Sequence, residues 1–139
     1  LLLAYKPSLF FRELEKISRY KEPILRNAYH RGVRRGLIND QSSNPKLTAL
    51  GKRRVAPFVA SRLGNNASLM VIFDVPEKRA ADRRSLRLLL HQWQFQQVQK
   101  SVWVSRYDFR EPLIEVVKEL NLAGCVEIHE NFRLFPNSS

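Results

Sequence analysis

Leu69-Met70-Val71-Ile72-Phe73-Asp74-Val75-Pro76-Glu77 is the stretch whose reading decides the fold. Five apolar residues run without a break and include the β-branched pair Val71 and Ile72. Asp74, Val75 and Pro76 then close the run with turn chemistry. A run this short, bounded this way, predicts a strand rather than a helix. Its unbroken apolar character places that strand in the interior of a sheet, covered on at least one face.

Downstream the pattern alternates. Leu86, Leu89, Leu90 and Trp93 stripe one face of a helix, with Arg83, Arg84 and Arg87 on another, expected as a solvated face. Phe95–Gln99 and Ser101–Ser105 follow as two strands in quick succession. Leu113, Val116, Val117 and Leu120 stripe a second helix, for which Gly124 is the expected stop. Cys125–His129 alternates as a last strand. The order βαββαβ predicts a ferredoxin-like plait over residues 69–139. Trp93, Phe95 and Trp103 are expected in its core rather than as a stacking platform for bases.

Upstream of the strand, Gly64–Ser68 is polar and reads as a linker. Beyond it the chemistry changes. Up to Gly64 the chain carries 14 Lys and Arg against 4 Asp and Glu, a net +10, whereas from Asn65 onward 10 stand against 9, a net +1. A strongly basic segment joined to a near-neutral one points to a polyanion, with nucleic acid ahead of an anionic membrane surface. No apolar run approaches the roughly 18 residues of a spanning helix.

Within residues 1–63 the expected order is helix, helix, basic helix, small hairpin, helix. Leu1–Tyr5 is apolar and is stopped by Pro7; Ser8 caps a second helix with Phe10, Leu14 and Ile17 on its stripe. Pro23 opens the third, whose buried stripe is Leu25, Ala28, Tyr29, Gly32 and Val33, with Asn27, His30, Arg31 and Arg34 opposite. Gly36 ends it. Leu37–Asp40 leads through the turn Gln41–Pro45 to Lys46 and Leu47. Thr48 caps the last helix, which exposes Lys52, Arg53 and Arg54 and which Pro57 should kink or split.

Composition narrows the setting. At 139 residues the chain holds one domain or two small ones, and 44% hydrophobic content suffices for packed cores. Cys125 is the sole cysteine, which excludes an intrachain disulfide and a cysteine zinc site and fits a cytoplasmic protein. The sequons at Asn66 and Asn137 are read as chance matches. The opening on Leu1 reads as a fragment whose first helix has lost its start.

Gly36-Leu37-Ile38 followed by Leu47-Thr48-Ala49-Leu50-Gly51-Lys52 resembles the strand–wing–helix passage of winged helix-turn-helix domains. Val71-Ile72-Phe73-Asp74-Val75-Pro76-Glu77-Lys78-Arg79, a helix, then Val98-Gln99-Lys100-Ser101-Val102-Trp103-Val104-Ser105 resembles two related families. One is the small CRISPR adaptation endonuclease, a dimer of ferredoxin-like domains. The other is the PaaX-like regulators, repressors of phenylacetate degradation, which carry a winged helix in front of that fold. The fused basic half and Trp103 favour the regulators; the end at Ser139 departs from their longer members, which have a further domain.

The resemblance implies an α+β protein, a winged helix-turn-helix over 1–63 and a dimerising ferredoxin-like domain over 69–139, joined by a linker at 64–68. It also implies a small-molecule effector such as an aryl-coenzyme A thioester. On duplex DNA the expected interface is Asn27, His30, Arg31, Arg34, Arg35, Lys46, Lys52, Arg53 and Arg54. Arg31 suits guanine and Asn27 adenine in the major groove, while Arg34 and Arg35 suit phosphates. The rival is a magnesium-dependent nuclease or CRISPR adaptation protein in which paired Asp74 carboxylates across a homodimer hold the metal. Against this stands the reading that Asp74 accepts backbone hydrogen bonds in the turn before Pro76. His91 and His129 are given no role.

Overall fold

The computed structural model describes residues 12, 15, 16, 18–41 and 45–133. The expected helices over Leu1–Tyr5 and from Ser8 lie almost wholly outside these, as do Ser42–Asn44 of the turn and the tail from Leu134. The chain divides into two compact units, Leu1–Val55 and Ala56–Ser139.

In the first unit, helix α1 (Glu22–Arg34) leads to a minimal antiparallel pair, β1 (Ile38–Asn39) and β2 (Lys46–Leu47), and then to α2 (Ala49–Val59), whose last residues, from Ala56, belong to the second unit. Pro23 sits in the first turn of α1, where its missing N–H is no loss. The helix ends as expected. Gly36 takes φ +73°, the Leu37 N–H donates to the Gly32 carbonyl at 2.8 Å, and the Gly36 N–H donates to the Val33 carbonyl at 3.1 Å. These are the two bonds of a Schellman end, and they satisfy carbonyls the helix would leave open. Of the expected buried stripe, Gly32 is buried and Leu25, Tyr29 and Val33 are half-buried, but Ala28 is exposed. It lies at the edge of the stripe, and the packing against Ile38 centres on Gly32 instead.

Thr48 joins the parts. Its N–H donates to the Leu37 carbonyl at 2.9 Å. Its hydroxyl donates to the Gly36 carbonyl at 2.5 Å and accepts from the Gly51 N–H at 3.0 Å, which makes it the N-cap of α2. Of the kink or split expected at Pro57, the split does not occur: α2 runs on to Val59, and the proline stands two residues before its end, where the lost N–H removes a single bond.

In the second unit the strands are β3 (Ala67–Phe73), β4 (Gln96–Gln99), β5 (Val102–Ser105) and β6 (Val126–Phe132). The helices are α3 (Ala80–Gln92), preceded by a 3-10 turn at Glu77–Arg79, and α4 (Arg110–Glu119). The sheet order β4-β5-β3-β6, antiparallel throughout, is that of a ferredoxin-like plait. The deciding stretch is therefore an interior strand. Leu69, Val71 and Phe73 are buried in one core with Leu86, Leu90, Leu113 and Leu122, while Met70 and Ile72 on the other face are half-buried. Trp93 and Phe109 stack at 5.0 Å, and Trp93, Phe95 and Trp103 are core residues.

Three boundaries differ from expectation. The polar run at 64–68 is only a turn, with Asn66 at positive φ, and β3 already begins at Ala67. The stop of α4 is Asn121 at φ 55°, not Gly124; the Leu122 N–H donates back to the Val117 carbonyl at 2.9 Å, and the buried Leu122 seals the end. Asn tolerates the left-handed region well enough to displace the nearby glycine. The last strand continues to Phe132, paired with Ala67.

Two glycines in the first unit allow different predictions. A Cβ at Gly51 would stand 2.1 Å from the Leu37 carbonyl oxygen, and one at Gly32 would stand 2.8 Å from the Ile38 Cδ1 methyl. The methyl can rotate away; the carbonyl is held by Thr48. Gly51→Ala is expected to cost about 1–3 kcal/mol and Gly32→Ala distinctly less. Urea unfolding of both variants checks the order, and equal losses would contradict it.

Candidate nucleic-acid interface

The start of α1 is held by charge. Glu15 accepts the Glu22 N–H at 2.7 Å and lies 3.4 Å from the Lys21 ammonium, and Arg26 pairs with Glu22 at 2.6 Å. The Glu22 amide lowers the Glu15 carboxyl below its ordinary value, with Lys21 adding to the effect against desolvation. Tyr29, half-buried on the inner face, has its phenol raised by desolvation and by Asp40.

On the outer face Asn27, His30, Arg31, Arg34 and Arg35 are all exposed. Arg31 and Arg34 lie in the last turn, where cations also favour the helix through its dipole. Lys46 on β2 and Lys52 and Arg54 on α2 are exposed, but Arg53 is half-buried and less available than expected. The Thr48 bonds to Gly36 and Leu37 bring the end of α1 and the first turn of α2 together, so Arg34 and Arg35 come close to the helix that carries Lys52. Among the described residues, Arg31, Arg34, Arg35, Lys46 and Arg54 have no acidic partner within ion-pair distance. Ile24, to which the sequence reading gave no role, is 53% exposed in the same helix. A helical projection of α1 would have found it.

Several cations of the second unit are instead committed to structure. Arg79 donates to the Leu120 and Asn121 carbonyls at the end of α4 and pairs with Asp82. Arg83 pairs with Glu77 and donates to the Val75 carbonyl. Arg87 is half-buried with its guanidinium over the Phe73 ring, 5.8 Å from its centre. Of the three arginines expected as a solvated face, only Arg84 is exposed. Arg110 bridges Asp108 and Glu130, and its pKa is raised by those bonds, Asp108 first.

Asp74 ends β3 exposed, and its main-chain N–H donates to the Cys125 carbonyl at 2.8 Å. Among the described residues no backbone N–H donates to its carboxylate; the hydrogen bond seen in the turn before Pro76 is that of its main-chain N–H. Magnesium fits poorly within one copy of the chain. Glu77, the nearest acid in sequence, is paired to Arg83, and among the described residues no three His, Cys, Asp or Glu side chains gather at metal-binding distance. His129 pairs with Glu127 at 2.9 Å on the sheet. No helix among the described residues is long and apolar enough to cross a membrane.

Residues 68–133 match the family model described as the PaaX protein central Cas2-like domain. No curated protein and no solved structure matches the chain.

The Glu15 anchor should be visible in a titration. A carboxyl lowered on folding adds stability above its ordinary value of 4.5 and loses it as the pH falls through the lower folded value. Glu15→Gln should therefore melt below the parent at pH 7, with the gap closing towards pH 3. A gap independent of pH would contradict the assignment.

Proposed function

We propose that this chain, in which residues 68–133 are a PaaX-type central Cas2-like domain, is a DNA-binding transcriptional regulator, acting as a repressor. Residues 1–63 hold duplex DNA as a winged helix-turn-helix, and residues 69–139 pair with a second copy. The observation that carries this reading is the charge balance, +10 up to Gly64 against +1 beyond it, together with where the cations of the first unit stand. Arg31, Arg34, Arg35, Lys46 and Arg54 project without acidic partners among the described residues of the first unit. In the second unit Arg79, Arg83 and Arg110 are absorbed in internal pairs, and the cations it does expose, such as Lys78, Lys100 and Arg106, stand in a half where 9 acidic residues offset 10 basic ones. Cations left in solvent neutralise phosphates and release condensed counterions, which drives binding to any duplex.

The order of elements supports the division of labour. An exposed basic helix followed by a short antiparallel pair and another helix is what a winged helix presents to the major groove. In this reading Arg31 and Asn27 face base edges, Arg34 and Arg35 face phosphates, and Lys46 acts from the wing with Lys52, Arg53 and Arg54 behind it. Asp74 takes no part, and magnesium is not required.

Pairing has its own support. The helices cover one face of the sheet, whereas Met70, Ile72, Val102 and Val104 on the opposite face are only half-buried. A second copy covering that face would remove these side chains from water and set two basic helices against two half-sites.

Two measurements test these parts. Full-length protein titrated onto a mixed duplex at several salt concentrations should give a steep log–log slope. Arg34→Ala with Arg35→Ala should flatten it by about 2, whereas Arg84→Ala should leave it unchanged. An unaltered slope in the double variant would contradict the assignment. By sedimentation the parent should be a dimer at tens of micromolar and Val104→Lys a folded monomer. A monomeric parent would remove the pairing.

A further inference from the structure

At about 100° per residue, Ile24, Asn27, Ala28 and Arg31 fall within one arc of roughly 100° on α1. Leu25, Tyr29, Gly32 and Val33 occupy a separate arc of similar width. The second arc is the inner face, buried or half-buried. The first is exposed along its whole length and alternates apolar with polar side chains. Ile24 stands 53% exposed in the opening turn, and Ala28 is exposed one turn later. Neither belongs to the buried or half-buried face of the helix. Phe58, Val59, Leu88, Val98 and Phe132 are more exposed than Ile24, but Ile24 is the one that shares its arc with an amide and a guanidinium on the basic helix.

We propose that Ile24 and Ala28 read thymine. The inference rests on the DNA-binding reading and goes one step further, to the chemistry of the site recognised. In the major groove, thymine is the one base that presents a C5-methyl group, and apolar side chains distinguish it by contact. Asn27 and Arg31 supply the complementary polar contacts from the same arc, to adenine and guanine. Helix position agrees: Ile24, Asn27 and Ala28 lie in the first half of α1, and residues near the start of a groove-entering helix meet base edges. Charge identifies the occupant. Arg31, Arg34 and Arg35 continue the exposed surface towards the helix end, and such a cationic border favours a polyanion over an apolar protein partner. The site recognised by one copy therefore contains thymine within a base pair or two of the guanine or adenine read by Arg31 and Asn27.

The test uses the full chain and a pool of randomised duplexes from which bound sequences are selected. In the selected duplex each thymine is replaced in turn by deoxyuridine, which deletes only the methyl group. At one or two positions affinity should fall about three- to fivefold, the effect of one methyl leaving an apolar contact. Ile24→Asn should show a comparable loss on the thymine duplex, and its deoxyuridine penalty at one of those positions should vanish. Ala28→Ser should reduce the penalty at the other. Both residues are exposed, and circular dichroism of each variant checks that it folds. If the parent selects a sequence but tolerates deoxyuridine everywhere, the inference falls while the DNA-binding reading stands. Penalties undiminished in both variants would place the methyl contacts elsewhere and overturn it. If no duplex is bound, both readings fail.

Discussion

Thr48 stands between two helix ends, and the first unit depends on what it does there. Its hydroxyl donates to the Gly36 carbonyl just past α1 and accepts from the Gly51 N–H inside α2, while its own N–H closes onto the Leu37 carbonyl. Gly51 lets the two backbones approach so closely that no Cβ fits between them. A side-chain hydroxyl at an N-cap contributes on the order of 1 kcal/mol, but position matters more here than energy. The three bonds tie the end of α1, the β1–β2 pair and the start of α2 into one frame. The outward arc of α1 and the cations at its end then have fixed neighbours rather than a fraying terminus.

Net charge separates the two halves, +10 up to Gly64 against +1 beyond it, and part of the second half's charge is spent on folding. Lys78, Arg84, Lys100, Arg106 and Lys118 of the second half stay exposed, whereas Arg79 closes the carbonyl end of α4, Arg83 braces the turn after β3, and Arg110 ties α4 to β6. These charges serve folding, and exposed pairs of this kind contribute little individually. In the first unit Glu15 and Glu22 are likewise committed, to the opening of α1. Among the described residues, exposed cations without acidic partners are left on the outer face, at the end of the helix and beyond it.

Most of the plait was legible because its signals were redundant. The apolar run at 69–73 is bounded by Asp74 and Pro76, two helices carry full stripes, and the spacing admits one order of elements. The family match over 68–133 agrees with the resemblance seen in those same residues. Its helix ends were not legible in the same way. Asn121 competes with Gly124 for the left-handed position, and only the burial of Leu122 decides between them. On α1, periodicity placed Asn27, His30, Arg31 and Arg34 correctly outside but carried Ala28 inward, since an alanine on the edge of a stripe fits either face. The ion pairs of Arg79 and Arg83 depend on the turn that follows β3, and the pairs of Arg110 depend on β6. No spacing rule reports them.

The assignment of nucleic-acid contact to the first unit is tested most directly by amide chemical shifts of the full-length protein as a duplex is added. The expected perturbations cover residues 24–36 of α1 and its end, then Lys46 and residues 48–54, with the plait core from Leu69 to Phe73 unmoved. Shifts concentrated between residues 67 and 133, with α1 silent, would contradict it.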